Sequence, residues 1–379
     1  MTRLDTSIED GRRWVRRGNS LAARLPGTVA ALRRRQVSVM ERAPGWIVYA
    51  LHPVALAWFG LQYGGFALPT AAKPGLELGG LPCTSKAALF ALMGPAGRAR
   101  LPPFARVEAG PGAAARAREA MAAAGFGFPV VAKPDLGRNG VGVKAARGPE
   151  ELAAHLAKFP AGHGALVQRL VDAPGEAGLL YLRRPGEARG RITVVTLKRF
   201  PEVVGDGRST LRELILADGR ARVFAGTYFR RLGAGLEAVV PRGERRALTS
   251  VGNHVRGSAF LDGAAHVTPA LEAAVEAVAR EIPGFHVGRL DVRYEDLKAL
   301  ERGEFTILEL NGAGAEPTQV WDPRKSVTEV YAGLLGQVRV LFEVGAENVR
   351  RGARPAPARE IVRRYFAEVR RQRIYPDEE

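Results

Sequence analysis

Hydrophobic and polar positions change period several times along the chain. The runs FPVVAK (128–133), ALVQRLV (165–171), RITVVTLKRF (191–200), HVGRLDVRY (286–294) and FTILEL (305–310) are short and largely apolar, and β-branched residues recur in them, which predicts strands. Between them the period lengthens to that of a helix. GAAARAREAMAAAG (112–125) reads as helical up to Gly125, a natural stop. In STLRELI, Thr210 and Glu213 have the spacing of a capping box. In TPALEAAVEAVAREIPG, Thr268 caps a helix whose first position is Pro269. PGEARG (185–190) and GDGRS (205–209) read as turns. Strands and helices intermix, so the class is α+β or α/β, and no repeat of fixed period runs through the chain.

Two stretches break this rhythm. From Pro44 to Ala72 there is no Lys, Arg, Asp or Glu, and the centre reads WIVYALHPVALAWFGLQYGGF. Its length suits a membrane span, but His52-Pro53 and Gln62 interrupt it. It reads as a buried core segment or as a hairpin on a membrane surface. Near the other end, VRRGARPAPARE predicts a linker to a last helix, REIVRRYFAEVRRQR. Ile361, Tyr365 and Val369 share one face of that helix, which predicts docking on the protein body.

Composition narrows the classes. At 379 residues with 46% hydrophobic content, the chain is long enough for two or three domains with real cores. The formal net charge is +17 and the pI is near 10.6. The basic residues are mostly arginine in a chain rich in Ala, Gly and Pro, the pattern of GC-rich coding. Basic stretches still gather at the ends, RRWVRR (12–17), RRR (33–35) and the tail. No nucleic-acid-binding module is recognisable, so nucleic acid is not expected as a partner. Peripheral contact with an anionic membrane stays open. The one cysteine, Cys83, excludes an intrachain disulfide and a cysteine zinc cluster. No apolar segment starts near residue 1, so a secretory signal is not expected.

The candidate chemistry lies in two segments. In FPVVAKPDLGRNGVGVKAA (128–146), a strand delivers Lys133, and the loop after it carries Gly137, Gly140 and Gly142. Glycines let backbone N–H groups converge on an anion, and the lysine adds a point charge, which suits a nucleoside triphosphate. The alternative is a glycine hairpin with an exposed lysine. The spacing is neither a P-loop nor a Rossmann fingerprint. In the second segment, strict alternation puts Phe305, Ile307, Glu309 and Asn311 on one face, and Arg289, Asp291 and Arg293 on one face of the preceding strand. Antiparallel pairing about Leu300 sets Asp291 beside Glu309. The oxygen donors of Asp291, Glu309 and Asn311 suit Mg²⁺. The alternative is a charge-paired strand end, with Arg289 and Arg293 neutralising the acids.

Taken together, these segments resemble the ATP-grasp superfamily, carboxylate–amine ligase type, which includes D-alanine–D-alanine ligase and the glutathione and cyanophycin synthetases. The resemblance runs from about Ser85 to Asp322. It implies two α+β subdomains clasping ATP, at 84–172 and 173–345. They follow an N-terminal region (1–83) and precede a basic C-terminal helix (346–379). TSK (84–86) resembles the segment with the first phosphate-contacting lysine, which would make Lys86 that residue. PVVAKP matches the second, Lys133, and DLGRNGVGV the lid loop over the phosphates. ALVQRLV resembles the strand that holds adenine, at Gln168, Arg169, Leu170 and Val171, and Glu176 would bind ribose. GRLD and LELNG resemble the segments with the metal ligands, which implies Asp291, Glu309 and Asn311 around Mg²⁺ (or Mn²⁺), with Arg289 and Lys133 catalytic. VVGDGRSTLRELI resembles a segment of the glutathione and cyanophycin type.

Two departures stand out. Gln168-Arg169 replaces an acidic residue found in many relatives, and GAGAEPTQVWDP differs from the substrate loop of the D-alanine ligases. In VGNHVRGSAF, Asn253, His254 and Arg256 are candidates to read a substrate carboxylate, or form a plain polar turn. The implied activity joins a small-molecule carboxylate to an amine at the expense of ATP. The need for ATP implies a cytoplasmic location, with contact at the inner face of the membrane left open. The rivals are a kinase or phosphotransferase of the same fold, and a nucleic-acid- or membrane-binding protein that uses its basic termini.

Overall fold

The computed structural model describes residues 36–81, 84–137, 140–249 and 252–376. Cys83, Arg138 and Asn139 of the glycine loop, and the basic stretches at 12–17 and 33–35 lie outside the described residues. Two antiparallel sheets organise the rest. The first contains β1 (Phe104–Glu108), β2 (Val130–Pro134), β3 (Lys144–Ala146) and β4 (Gly164–Arg169), in the order β1-β4-β2-β3. The second contains β5 (Gly175–Leu182), β6 (Arg191–Arg199), β9 (Ala259–Asp262), β10 (Val287–Tyr294) and β11 (Thr306–Asn311), in the order β11-β10-β5-β6-β9. β7 (Glu202–Val204) and β8 (Arg245–Ala247) form a separate ribbon. The α+β class expected from the sequence is what the chain adopts.

Each sheet buries one face under helices. Val130, Ala132, Ala165 and Val167 point outward from the cleft side of the first sheet, into a core with Ala117 and Met121 of helix Ala113–Ala123 and with Leu152 and Leu156 of helix Pro149–Leu156. The alternation leaves Val131, Lys133 and Gln168 on the opposite face, over the cleft. In the second sheet, Leu179, Val195, Leu290 and Val292 pack against Leu271, Val275 and Val278 of helix Pro269–Glu281. Burying side chains of this size stabilises the fold by about 1.5–3 kcal/mol each. That helix starts as the sequence predicts: Thr268 accepts from the Leu271 N–H, and Pro269 follows it. Thr210 and Glu213 form the expected capping box.

β11 departs from the expected alternation. Asp291 pairs with Glu309, as expected, but Val292 pairs with Ile307, so Leu308 is an extra residue in the ladder. This bulge resets the facing. Phe305, Ile307 and Leu310 enter the core, whereas Glu309 and Asn311 line the cleft.

The charge-free stretch is neither wholly buried nor wholly exposed. One side of helix His52–Tyr63 packs through Ala55, Phe59 and Tyr63 on Val338, Phe342 and Ala346 of the long helix Val327–Arg350, while the other side faces solvent. The last helix, Ala358–Gln372, docks differently from the expected face. Tyr365 is exposed and Glu368 is buried. Tyr375, just beyond it, inserts into the core of the first sheet beside Phe159 and His163.

Candidate active site

The two sheets meet at a cleft of about 1130 Å³. Lys86 opens helix Lys86–Ala91, and Asp135, two residues past Lys133, anchors that helix start. The Asp135 carboxylate accepts from the Ala87 N–H at 2.9 Å and from the Ser85 hydroxyl at 2.8 and 2.9 Å, while its carbonyl accepts from the Lys86 N–H. Arg106 also donates to it at 2.9 Å. Burial opposes ionisation of Asp135, but the Ala87 N–H and Arg106 outweigh it and hold its pKa below the usual range. One carboxylate thus ties the first lysine to the strand that carries the second.

Lys86 Nζ donates to the Gly137 carbonyl at 2.6 Å and lies 3.4 Å from Glu309. Lys133 Nζ donates to Gln168 Oε1 at 2.9 Å and to the Leu308 carbonyl at 3.2 Å. Burial pulls the Lys133 pKa down to about 8, against the pull of the Glu309 carboxylate. Gln168 Nε2 is buried with no partner, an orphaned donor aimed at the cleft.

The second sheet supplies a chain of buried charges. Asp291 accepts from Arg289 at 3.0 Å and from Asn311 Nδ2 at 2.7 Å, and it pairs with Lys198 at 3.1 Å. Lys198 also donates to Glu176 at 2.8 Å, and Arg293 lies 3.2 Å from the same carboxylate. Burial would depress Lys198, but Asp291 and Glu176 hold it above its ordinary value. Likewise, burial would raise Asp291, but Arg289 and Lys198 keep it below the carboxylate range. Arg289 therefore neutralises Asp291, whereas Arg293 serves Glu176.

The sequence-predicted residues do not all converge. Lys86, Lys133, Gly137, Gly140, Gln168, Arg169, Leu170, Val171, Glu176, Arg289, Asp291, Glu309 and Asn311 line the cleft. Gly142 does not. Its N–H donates to the Pro376 carbonyl and its carbonyl meets His155 Nε2 at 3.0 Å. A Cβ there would approach Pro134 Cγ to 2.8 Å at a φ of +70°, so glycine serves packing at that position.

Asn253 and His254 reach the cleft, but Asn253 Oδ1 is engaged by the Val255 N–H at 3.0 Å. His254 stacks on Trp321 at 4.2 Å, and burial with nearby Arg220, Lys198 and Arg289 lowers its pKa to about 4. A neutral imidazole brings no charge to a carboxylate and could meet one only through a ring N–H. Arg256 is buried and donates to the Gly140 carbonyl at 3.2 Å, so it clasps the glycine loop.

Sequence reasoning missed Asp135 and Lys198. Lys198 had a usable signal, since lysine is rare in this chain. Asp135 had none, because its partners Ser85 and Arg106 lie 50 and 29 residues away.

Among the described residues, no group of three or more His, Cys, Asp or Glu side chains is gathered as a metal cluster. The candidate set is two carboxylates and a carboxamide, and Asp291 already shares its oxygens with two protein cations. All-oxygen donors beside phosphate-sized space still fit a hard divalent cation, which takes one or two carboxylates and completes its shell from phosphates and water.

The fold and site together define an α+β protein with two antiparallel sheets around a lysine- and arginine-lined cleft. No family model matches the chain, and no curated sequence matches it. Among solved structures it is similar to a bifunctional glutathione synthetase from Pasteurella multocida. The identity is 16% and the TM-score 0.36, over 68% of this chain and 36% of that one. It is also similar to the D-Ala:D-Ser ligase VanG from Enterococcus faecalis (13%, TM-score 0.38, covering 69% and 62%). A third is the D-alanine–D-alanine ligase from Bacillus anthracis (13%, TM-score 0.39, covering 71% and 70%). By name these are synthetases and ligases, the class that the motifs resemble. The chain spans about a third of the glutathione synthetase's length. At these scores the likeness assigns no residue.

Proposed function

We propose that the chain is an ATP- and Mg²⁺-dependent ligase that joins a carboxylate to an amine and releases ADP and phosphate. The observation that carries this reading is convergence. Lys86 and Lys133, the Gly137 and Gly140 backbone, and the Asp291–Glu309 cross-strand pair come from four separate chain segments and line one cleft. A surplus of cations in a confined cleft suits a polyphosphate.

In this reading, Lys86 and Lys133 offset charge on the phosphates, and the orphaned Gln168 amide donates to the base. Asp291, Glu309 and Asn311 would hold Mg²⁺ or Mn²⁺, which would supply Lewis-acid stabilisation of charge on the phosphates. A substrate carboxylate oxygen attacks the γ-phosphorus and ADP leaves. The amine then attacks the acyl carbon, and phosphate departs with that oxygen. Arg289, half-buried and held by Asp291, is positioned to stabilise the acylphosphate and the tetrahedral oxyanion. Lys198 holds Asp291 and Glu176 in place from the neighbouring strand.

Hydroxylamine in place of the amine tests the reading. Carboxylates are screened for ADP release, and the hydroxamate that intercepts the acylphosphate is measured. Carboxylate-dependent ADP with hydroxamate is the expected result. AMP with pyrophosphate would reject the mechanism. ADP with a phosphorylated alcohol and no hydroxamate would move the protein to the phosphotransferase class.

A further inference from the structure

Residues 46–66 hold an unusual surface. Trp46, Val54, Trp58, Leu61 and Phe66 are each between 64% and 75% exposed, and Leu51 and Leu56 add to them. No charged side chain occurs from Pro44 to Ala72 to solvate this face. The helix at its centre, His52–Tyr63, is anchored from below on the long helix Val327–Arg350. Its 12 residues rise only about 18 Å, short of the ~30 Å hydrocarbon core of a bilayer. Among the described residues, no helix is long and apolar enough to cross a membrane.

The last helix presents a second apolar face of the same kind. Val362, Tyr365 and Phe366 are exposed on it and Ile374 just past its end, amid the exposed arginines Arg359, Arg370 and Arg373. The segments flanking the two surfaces are linked. The Ala356 N–H donates to Thr70 Oγ1 at 2.8 Å, and Arg364 pairs with Glu77. Tyr49 and His52 on one side, and Tyr365 on the other, line the mouth of the cleft.

We propose that this combined surface docks on an anionic lipid bilayer, with the cleft mouth at the membrane. Exposed tryptophans on a charge-free segment, Trp46 in the helical turn Gly45–Val48 and Trp58 on helix His52–Tyr63, suit the headgroup boundary. The arginines of the last helix supply charge complementary to anionic lipid. Residues 1–35 carry nine arginines against three carboxylates, a composition that suits anionic lipid. Each apolar side chain transferred from water favours docking, and the basic residues make it salt-sensitive.

The test uses the full chain, with vesicles of phosphatidylglycerol and phosphatidylcholine or of phosphatidylcholine alone. Co-sedimentation with the anionic vesicles, weakened by salt, is expected. The variant carrying Trp46→Ser, Trp58→Ser and Leu61→Ser should bind about tenfold more weakly or worse. All three residues are exposed, so its melting temperature should match wild type. In a Trp14→Phe background, brominated lipid should quench Trp46 and Trp58, a readout that needs no change to the patch. Unchanged binding of the triple variant would overturn the proposal, as would absence of binding to both vesicle types. A wild-type dimer that the triple variant converts to monomer would also overturn it, since a second copy would then cover the face.

Discussion

Asp291 and Glu309 sit opposite one another across β10 and β11, yet their surroundings differ. Glu309 keeps an open side and touches Lys86 alone among the described cations, at 3.4 Å. Asp291 is 5% exposed and balances both Arg289 and Lys198. The same conservative change therefore has two outcomes. Glu309→Gln should fold and melt like wild type but lose turnover by about 10²–10³, the usual cost of losing an electrostatic contact made in the transition state. Asp291→Asn should lose turnover and also stability, because Arg289 loses its carboxylate partner and Lys198 one of its two, and breaking a shielded pair costs about 3–5 kcal/mol. Steady-state rates and thermal melts of both variants separate these effects. Equal melting temperatures would show that the Asp291 network does not support the fold. At this scale the sequence was most legible where residue type is chemically demanding. Lys86 and Lys133 stand out in an arginine-rich chain, and the strand period places Asp291. Asp135 was illegible, because nothing in PDLG marks its carboxylate as a helix anchor. For His254 the sequence offers a carboxylate reader or a plain polar turn, and it does not reveal the burial on Trp321 beside Arg220, Lys198 and Arg289 that lowers its pKa.

Elements were legible where period and caps agree. Helix Pro269–Glu281 and the capping box at Thr210 follow from their sequences. β1 and β3 were missed, since at 5 and 3 residues FARVE and KAA are too short to stand out as periodic runs. Alternation failed at β11 because a bulge obeys the ladder geometry of two strands, which one strand cannot reveal. The C-terminal segment shows the same limit. Tyr375 fills a socket in the first sheet, and Pro376 takes the Gly142 N–H, so the chain end buttresses the glycine loop. Tyr375→Ala should destabilise the protein by about 3 kcal/mol, as truncation of a buried aromatic does. It should also raise the loop's susceptibility to proteolysis. A melt and a limited digest check both. A stability change without altered loop cleavage would confine Tyr375 to packing.

At the scale of the molecule, one cleft joins two sheets, and its charge is the central feature. The net charge of +17 owes much to an arginine-rich composition and does not by itself point to the cleft. What distinguishes the cleft is that Lys133 and Asp291 are buried there and the Lys198 and Arg289 side chains are largely shielded, where charge interactions are strong. Lys133 adds a pH signature. With its pKa near 8 in the unliganded protein, it carries its charge below that pH and sheds it above. Phosphate binding should therefore weaken as pH climbs through about 8. The most direct test is calorimetric titration with a non-hydrolysable ATP analogue and Mg²⁺ across that pH range. The account predicts Mg²⁺-dependent binding to the wild type that falls with rising pH. Lys133→Met should bind about tenfold more weakly or worse, with the pH dependence lost. Binding of equal strength to wild type and Lys133→Met, or no binding at all, would contradict it.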